Sequence, residues 1–435
     1  MTERVTNWAG NVVFGALRLH RPTSLDQLQR LVAGTGRVRA LGTGHSFNAI
    51  ADSPGDLVSV AGLPPAIDVD PAHGTVTVAA GVRYGELAGH LHAAGCALRN
   101  LGSLPHISVA GACATGTHGS GDGNGNLATA VSALEMVAAD GTLVRLSRDA
   151  DGERFPGTVI ALGGLGVVTG LTLDVVPAFE VRQYVYDDLP RERFDEHWAD
   201  IFASGYSVSL FTDWTGARFN QVWLKRRVDG RDGWTPPRRW LGATLADGPR
   251  NPIPGMPAVN CTEQLGVPGP WHARLPYFRL EFTPSSGTEL QSEYLVPRQR
   301  APEAVAALDR IRDRIAAVLQ MSELRTVAAD DLWLSPSYRR DSVAIHFTWV
   351  KDVRAVTPVL AAVEEQLAPF EARPHWGKLF GTPAHVVRGL YERLPDFVGL
   401  LRHYDPGGKF RNEFLDRYFP VAEAAATSGP AGPHG

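Results

Sequence analysis

The sequence predicts an α+β fold in two main parts, and three observations lead there. Residues 1–178 alternate short apolar runs with short helical patterns, punctuated throughout by glycine. Beyond residue 179 the apolar runs lengthen and gain aromatics, as expected of a mixed or antiparallel sheet. Two helical patterns in that half are long enough to cover such a sheet. The expected division is a first domain over 1–178, a second over 179–375, a C-terminal segment over 376–420 and a disordered tail over 421–435. The tail, with Ala424-Ala425-Ala426 and Ser428-Gly429-Pro430, offers nothing to bury.

The elements follow in order. Arg37–Leu41 reads as a short strand ending in a glycine turn, and Leu57–Val60, Ala66–Val69 and Thr75–Val78 as further strands, the last with period-2 alternation. Tyr84–Ala94 has Leu87 and Leu91 four apart and stops at Gly95, the pattern of a helix. Asp140-Gly141 between Val131–Ala138 and Leu143–Leu146 marks a hairpin. Val167-Val168 and Leu171–Val176 read as a last strand pair before Pro177. In the second half, Tyr206–Trp214, Gln221–Leu224 and Phe278–Phe282 read as strands, and Pro302–Leu319 and Thr357–Leu367 as helices. Residues 228–272, dense in Pro and Gly, read as a long ordered loop.

Composition excludes several classes of function. A formal net charge of −4 in 435 residues provides no field to recruit nucleic acid or an acidic membrane. Lys225-Arg226-Arg227 and Arg238-Arg239 are too short to change that. The N-terminus lacks a signal-peptide pattern, and no run of about 18 apolar residues occurs, so no membrane span is expected. Cys96, Cys113 and Cys261 are too few and scattered for a disulfide framework or a metal site, and read as buried thiols in a reducing cytoplasm. The expectation is a cytoplasmic, monomeric protein with no metal.

Two glycine-rich stretches carry the chemistry. Leu41-Gly42-Thr43-Gly44-His45-Ser46 follows a strand, and its glycines let backbone N–H groups approach an anion. No lysine follows as in a phosphate-binding P-loop, and the third glycine and following helix of the usual dinucleotide fingerprint are missing. Alone, the stretch is also compatible with an ordinary turn. The second, from Asn100 to Gly121, is a long run of small and hydroxyl-bearing residues. It offers many backbone donors and little bulk, a wall suited to a large flat phosphate-bearing cofactor.

Together these stretches resemble the FAD domain of the vanillyl-alcohol-oxidase (PCMH) type, and within it the alditol (xylitol) oxidases, relatives of the sugar-lactone oxidases. The resemblance runs through Trp8-Ala9-Gly10-Asn11, Gly44-His45-Ser46-Phe47-Asn48, residues 100–121, Trp214, Glu323-Leu324-Arg325-Thr326, His346-Phe347-Thr348-Trp349, His375-Trp376-Gly377-Lys378 and Asp405-Pro406. It implies FAD bound covalently through His45, whose neutral imidazole nitrogen adds to the flavin 8α-carbon. It places Leu41, Gly42, Thr43, Gly44, Ser46 and Phe47 beside the cofactor, with Ser103, Ser108 and Gly111 approaching it. Thr115, Gly116, Thr117 and His118 line it, and Val168 meets its adenine or ribose end. The 376–420 segment is expected to return to the flavin, while no role follows for His106.

The same resemblance implies a small polyol as substrate and O2 as acceptor, giving an aldose and H2O2. A polyol has neither charge nor apolar handle, so a specific site must pair several hydroxyls at once; each buried unpaired group costs about 1–3 kcal/mol. Glu323 and Arg325 are two apart on an apparent strand and so share a face, as do His346 and Thr348. Taken alone, such pairs also suit a half-exposed strand. By resemblance Ser103, Glu323, Arg325, His346, Thr348 and Lys378 contact the polyol. Lys378 and Arg325 would stabilise the developing alkoxide, with Glu323 holding a neighbouring hydroxyl. Gly102 stands where relatives have an oxygen gate, and it departs from the alanine of alditol oxidases toward the Asn-Leu-Gly-Ser pattern of sugar-lactone oxidases. A sugar-lactone oxidase or dehydrogenase is therefore the second reading, and a non-catalytic flavin-binding protein the third.

Overall fold

The computed structural model describes residues 5–228, 234–283 and 285–420; the tail over 421–435 lies outside the described residues. The first half is built on two small sheets. Arg18–His20, Asp56–Val58 and Val38–Ala40 form a parallel three-stranded sheet with Asp56–Val58 in the middle. Ile67–Asp70, Thr75–Ala79, Val167–Asp174, Val131–Val137 and Leu143–Ser147 form an antiparallel sheet in that order. Val131–Val137 and Leu143–Ser147 pair antiparallel across Asp140-Gly141, as the turn residues require. The helix Tyr84–Ala93 buries Leu87 and Leu91 against this sheet.

The second half holds, among the described residues, a ten-stranded sheet. Its centre runs Glu180–Pro190, Arg218–Val228, Ser207–Thr212, Leu319–Val327, Ser342–Val350 and Glu289–Pro297, each pair antiparallel. Alternation decides its two faces. Leu324, Ile345, Phe347, Tyr294 and Leu290 point one way, into a core with Val305 and Leu308 of Ala301–Asp309 and Val363 of Val353–Leu367. The residues between them point the other way, toward the first half. Trp376, Phe410 and Leu415 pack into the core of the first half, so the segment 376–420 is tied back to it.

Five expectations change. Val167–Asp174 is one strand; Gly170 sits in regular register opposite Ala79, while toward Val131–Val137 the register shifts between Gly170 and Val168 without ending the strand. Pro302–Leu319 is not one helix: Ala301–Asp309 ends, Ile311 leaves helical geometry (φ −116°, ψ 15°), Arg312–Ala316 adds a turn, and Leu319 already begins a strand. Thr357–Leu367 starts four residues earlier, at Val353, where the Asp352 carboxylate accepts from the N–H groups of Arg354 and Ala355. Phe278–Phe282 is no strand, because its backbone is committed elsewhere: the N–H groups of Tyr277 and Phe278 donate to Ser103 O, and the carbonyls of Leu280 and Phe282 meet His106 Nε2. Within 228–272, Arg239–Trp240, Ala243–Leu245 and Gly269–Pro270 add short edge strands to what reads in sequence as loop. All three cysteines are free and buried, as expected.

Candidate active site

Between the glycine-rich stretches and the polar face of the large sheet lies a cleft of about 2080 Å³, part of it open to solvent. Leu41 to Phe47, Gly102, Ser103, Ser108, Gly111, Thr115, Thr117, His118 and Val168 all line it. Gly116 does not; a Cβ there would meet Ile160 and Pro336, and its φ of +68° makes the turn between its neighbours. Gly42 and Gly111 form a cradle around one hydroxyl: a Cβ on either would stand 2.8 Å from Ser108 Oγ. His45 carries two buried ring nitrogens without a hydrogen-bond partner. Burial, with His106 adding to it, holds its pKa at about 4, so the ring is neutral at physiological pH. A flavin dinucleotide fits these observations: both glycine-rich stretches line one long cleft, and the neutral His45 ring, with unpartnered nitrogens, lies in its wall.

The other wall is one rung across three strands. Glu293 pairs with His346, and His346 with Glu323, in register. Arg325 and Thr348 follow two residues along on the same face. Glu293 is the hub. Its Oε1 accepts from Arg325 Nη2 at 2.5 Å and its Oε2 from Lys378 Nζ at 2.7 Å, with His118 Nε2 3.4 Å away. Burial raises its pKa, but Lys378, Arg325 and His118 outweigh it and hold the carboxyl well below its ordinary range. Arg325 also donates to Ser103 Oγ at 3.2 Å, which ties the wall to the loop that carries Gly102. Burial opposes the Arg325 charge, yet Glu323 and Glu293 raise its pKa above the ordinary value.

Lys378 fixes the tautomer of His346. The Lys378 ammonium donates to Nδ1 at 2.8 Å, so the ring proton sits on Nε2, which lies 3.0 Å from Thr348 Oγ1. Thr348 accepts there and keeps its own hydroxyl proton for the cleft. Burial, then Lys378, pushes the His346 pKa well down, and burial brings His375 to about 3. Glu323 accepts from the Tyr277 hydroxyl, which in turn meets Ser209 Oγ. The Glu293 and Glu323 charges thus cancel those of Arg325 and Lys378 on this face.

All six residues expected to contact substrate come together here. Sequence reasoning missed Glu293, Tyr277 and Gln291. A signal for two of them exists: Glu289, Gln291 and Glu293 alternate with Leu290, Ser292 and Tyr294. Gly102 needs no special backbone angle, and a Cβ there would find only ordinary contacts, the nearest at 3.7 Å to Thr117 Cγ2. Alanine therefore fits, and glycine at this position leaves open space beside the cleft.

Comparison with known proteins agrees with this geometry. The family model described as FAD binding domain matches residues 16–147, and that described as D-arabinono-1,4-lactone oxidase matches residues 288–418. Two solved structures share the fold: cholesterol oxidase from B. sterolicum (TM-score 0.74, 15% identity, 96% of each chain) and a solvent-stable cholesterol oxidase (TM-score 0.77, 15% identity, 95% of this chain and 97% of that one). Fold and cleft define an FAD-dependent oxidoreductase. Among curated proteins, the alditol oxidase of Streptomyces sp. is 55% identical over 95% of this chain and 99% of its own. An L-gulono-1,4-lactone dehydrogenase of Mycobacterium tuberculosis is 30% identical over 95% of this chain and 98% of its own. The chain belongs to the alditol oxidase family, with the sugar-lactone oxidases as its more distant relatives. Among the described residues no helix is long and apolar enough to cross a membrane.

Proposed function

We propose that this chain oxidises the terminal primary alcohol of a small polyol, such as xylitol or sorbitol, to the aldehyde. The observation that carries this reading is the charge-balanced polar rung: Glu293, Glu323, Arg325 and the neutral His346 ring are buried, Lys378 is partly buried beside them, and all five face the cleft. Such a wall matches an uncharged chain of hydroxyls, each of which needs a donor or an acceptor. The two glycine-rich stretches would hold FAD and His45 would link it, and the bound flavin would supply a two-electron acceptor that O2 reoxidises to give H2O2.

The chain's own residues do the rest. Lys378 and Arg325 stabilise negative charge on the reacting oxygen and lower the alcohol's pKa, so its proton passes to water in the solvent-open cleft as the hydride leaves for the flavin. Glu323, Ser103 and Thr348 hold neighbouring hydroxyls, and His346 orients Thr348. A peroxide-coupled assay over alditols and sugar lactones tests the reading. Turnover with xylitol or sorbitol well above that with L-gulono-1,4-lactone is expected, whereas the reverse preference would assign the chain to lactone chemistry. Two substitutions test the cofactor side. His45→Ala is expected to bind FAD but release it on acid denaturation, which the parent protein does not do. Gly102→Ala is expected to fold normally and to slow reoxidation by O2 without abolishing it, read by stopped-flow absorbance, because a methyl group takes up space beside the cleft.

A further inference from the structure

We propose that Trp8 is a positioning residue for the covalent attachment of the flavin: its indole face holds the His45 imidazole in the plane from which the bond forms. The inference rests on the His45 link proposed above and goes beyond it. The two rings stack with centroids 5.2 Å apart and planes 19° from parallel. Neither His45 nitrogen has a hydrogen-bond partner in good geometry, and the polar neighbour that acts on the ring is the Thr43 backbone. A single backbone neighbour leaves the face of the ring to Trp8, and Phe47 backs the indole edge-on at 6.3 Å.

The segment that carries Trp8 is built onto the histidine loop. Trp8 N–H donates to Gly44 O at 2.8 Å, Asn7 Nδ2 to Ser46 O at 2.9 Å, and Asn11 Nδ2 to Phe47 O at 2.8 Å. Asn7 is itself buried and braced, donating to Asn11 Oδ1 at 2.7 Å and accepting from Val12 N–H at 3.0 Å. From the other side Phe47 N–H donates to Gly377 O. The loop is therefore clamped by segments distant in sequence, and the indole is delivered over the ring by that clamp. Attachment makes a bond from a ring nitrogen of His45 to the 8α-carbon. One C–H and one N–H proton are lost, and two electrons stay on the flavin until O2, the acceptor of the proposed reaction, removes them. A nitrogen lone pair must point at that carbon, and a misplacement of about 1 Å costs about 100-fold in rate.

The test compares Trp8→Leu, which fills the space without a flat face, with Trp8→Phe, which keeps one. Samples taken at intervals after induction are divided. One part gives total flavin in the native protein; the other gives the flavin fluorescence that survives acid denaturation. The inference expects Trp8→Leu to bind FAD natively yet attach it at least about 10-fold more slowly, with Trp8→Phe close to the parent. Equal attachment in Trp8→Leu and the parent would overturn it. So would Trp8→Phe as slow as Trp8→Leu, or loss of native flavin binding in both variants, which would make Trp8 part of the binding wall. If the parent itself releases its flavin in acid, the His45 link fails and this inference with it. A failure confined to the variants leaves that link standing.

Discussion

Lys378→Met is expected to lower turnover by about 10²–10³-fold, the effect of removing one pre-aimed group from a developing oxyanion. The loss falls on kcat as well as KM, because the charge on the reacting oxygen grows as the hydride leaves. The ammonium is well held for this task, bonded to Glu293 at 2.7 Å and His346 at 2.8 Å. Burial lowers its pKa below the ordinary 10.5, with Glu293 opposing the shift. The protonated form does the work, so activity should fall as pH rises through that depressed value. The alkaline limb of the pH–rate profile should then lie below 10.5, and Lys378→Arg should move it upward. Full turnover in Lys378→Met would remove the electrostatic part of the account.

Glu293→Gln is expected to damage stability and activity together. The amide keeps the shape but leaves Arg325 and Lys378 facing each other with only Glu323 to offset them. Removing one partner of a buried charge cluster costs about 3–5 kcal/mol, which should lower the melting temperature by about 3–6 °C in a chain of this size. The sign with pH follows from the depressed carboxyl pKa. The stabilisation is fully present above the unfolded value of 4.5 and is lost as pH falls through the lower folded one. The gap in melting temperature between parent and variant should stay level from about pH 5 to 8 and close only in more acid solution. Turnover should fall too, because Lys378 without its carboxylate gives up its proton more readily. A Glu293→Gln protein with the parent's melting temperature and turnover would show that the hub has no such role.

Local patterns made much of the site legible. The period-2 alternation of a strand is a backbone property, so Glu323 with Arg325 and His346 with Thr348 could each be assigned to one face before any partner strand was known. That the two pairs sit side by side depends on strand pairing between residues 319–327 and 342–350, which alternation cannot supply. Glu293 was hidden for the same reason. Glu289–Pro297 is buried on both faces and mixes Glu, Gln and Ser among its apolar residues, so it does not announce itself as a core strand. Tyr277 reaches Glu323 from an irregular segment whose aromatic composition imitates a strand. Trp8 belongs to a short motif readable in sequence, but its stacking on His45 follows from hydrogen bonds between segments nearly forty residues apart.

The most direct measurement is anaerobic mixing of the purified yellow protein with xylitol, following the flavin absorbance, and then admitting air. The account predicts rapid bleaching by the polyol, slow or no bleaching by L-gulono-1,4-lactone, and return of the colour with one H2O2 formed for each flavin. A flavin that the lactone bleaches and xylitol does not, or that neither reduces, would contradict the assignment of the charge-balanced wall to a polyol.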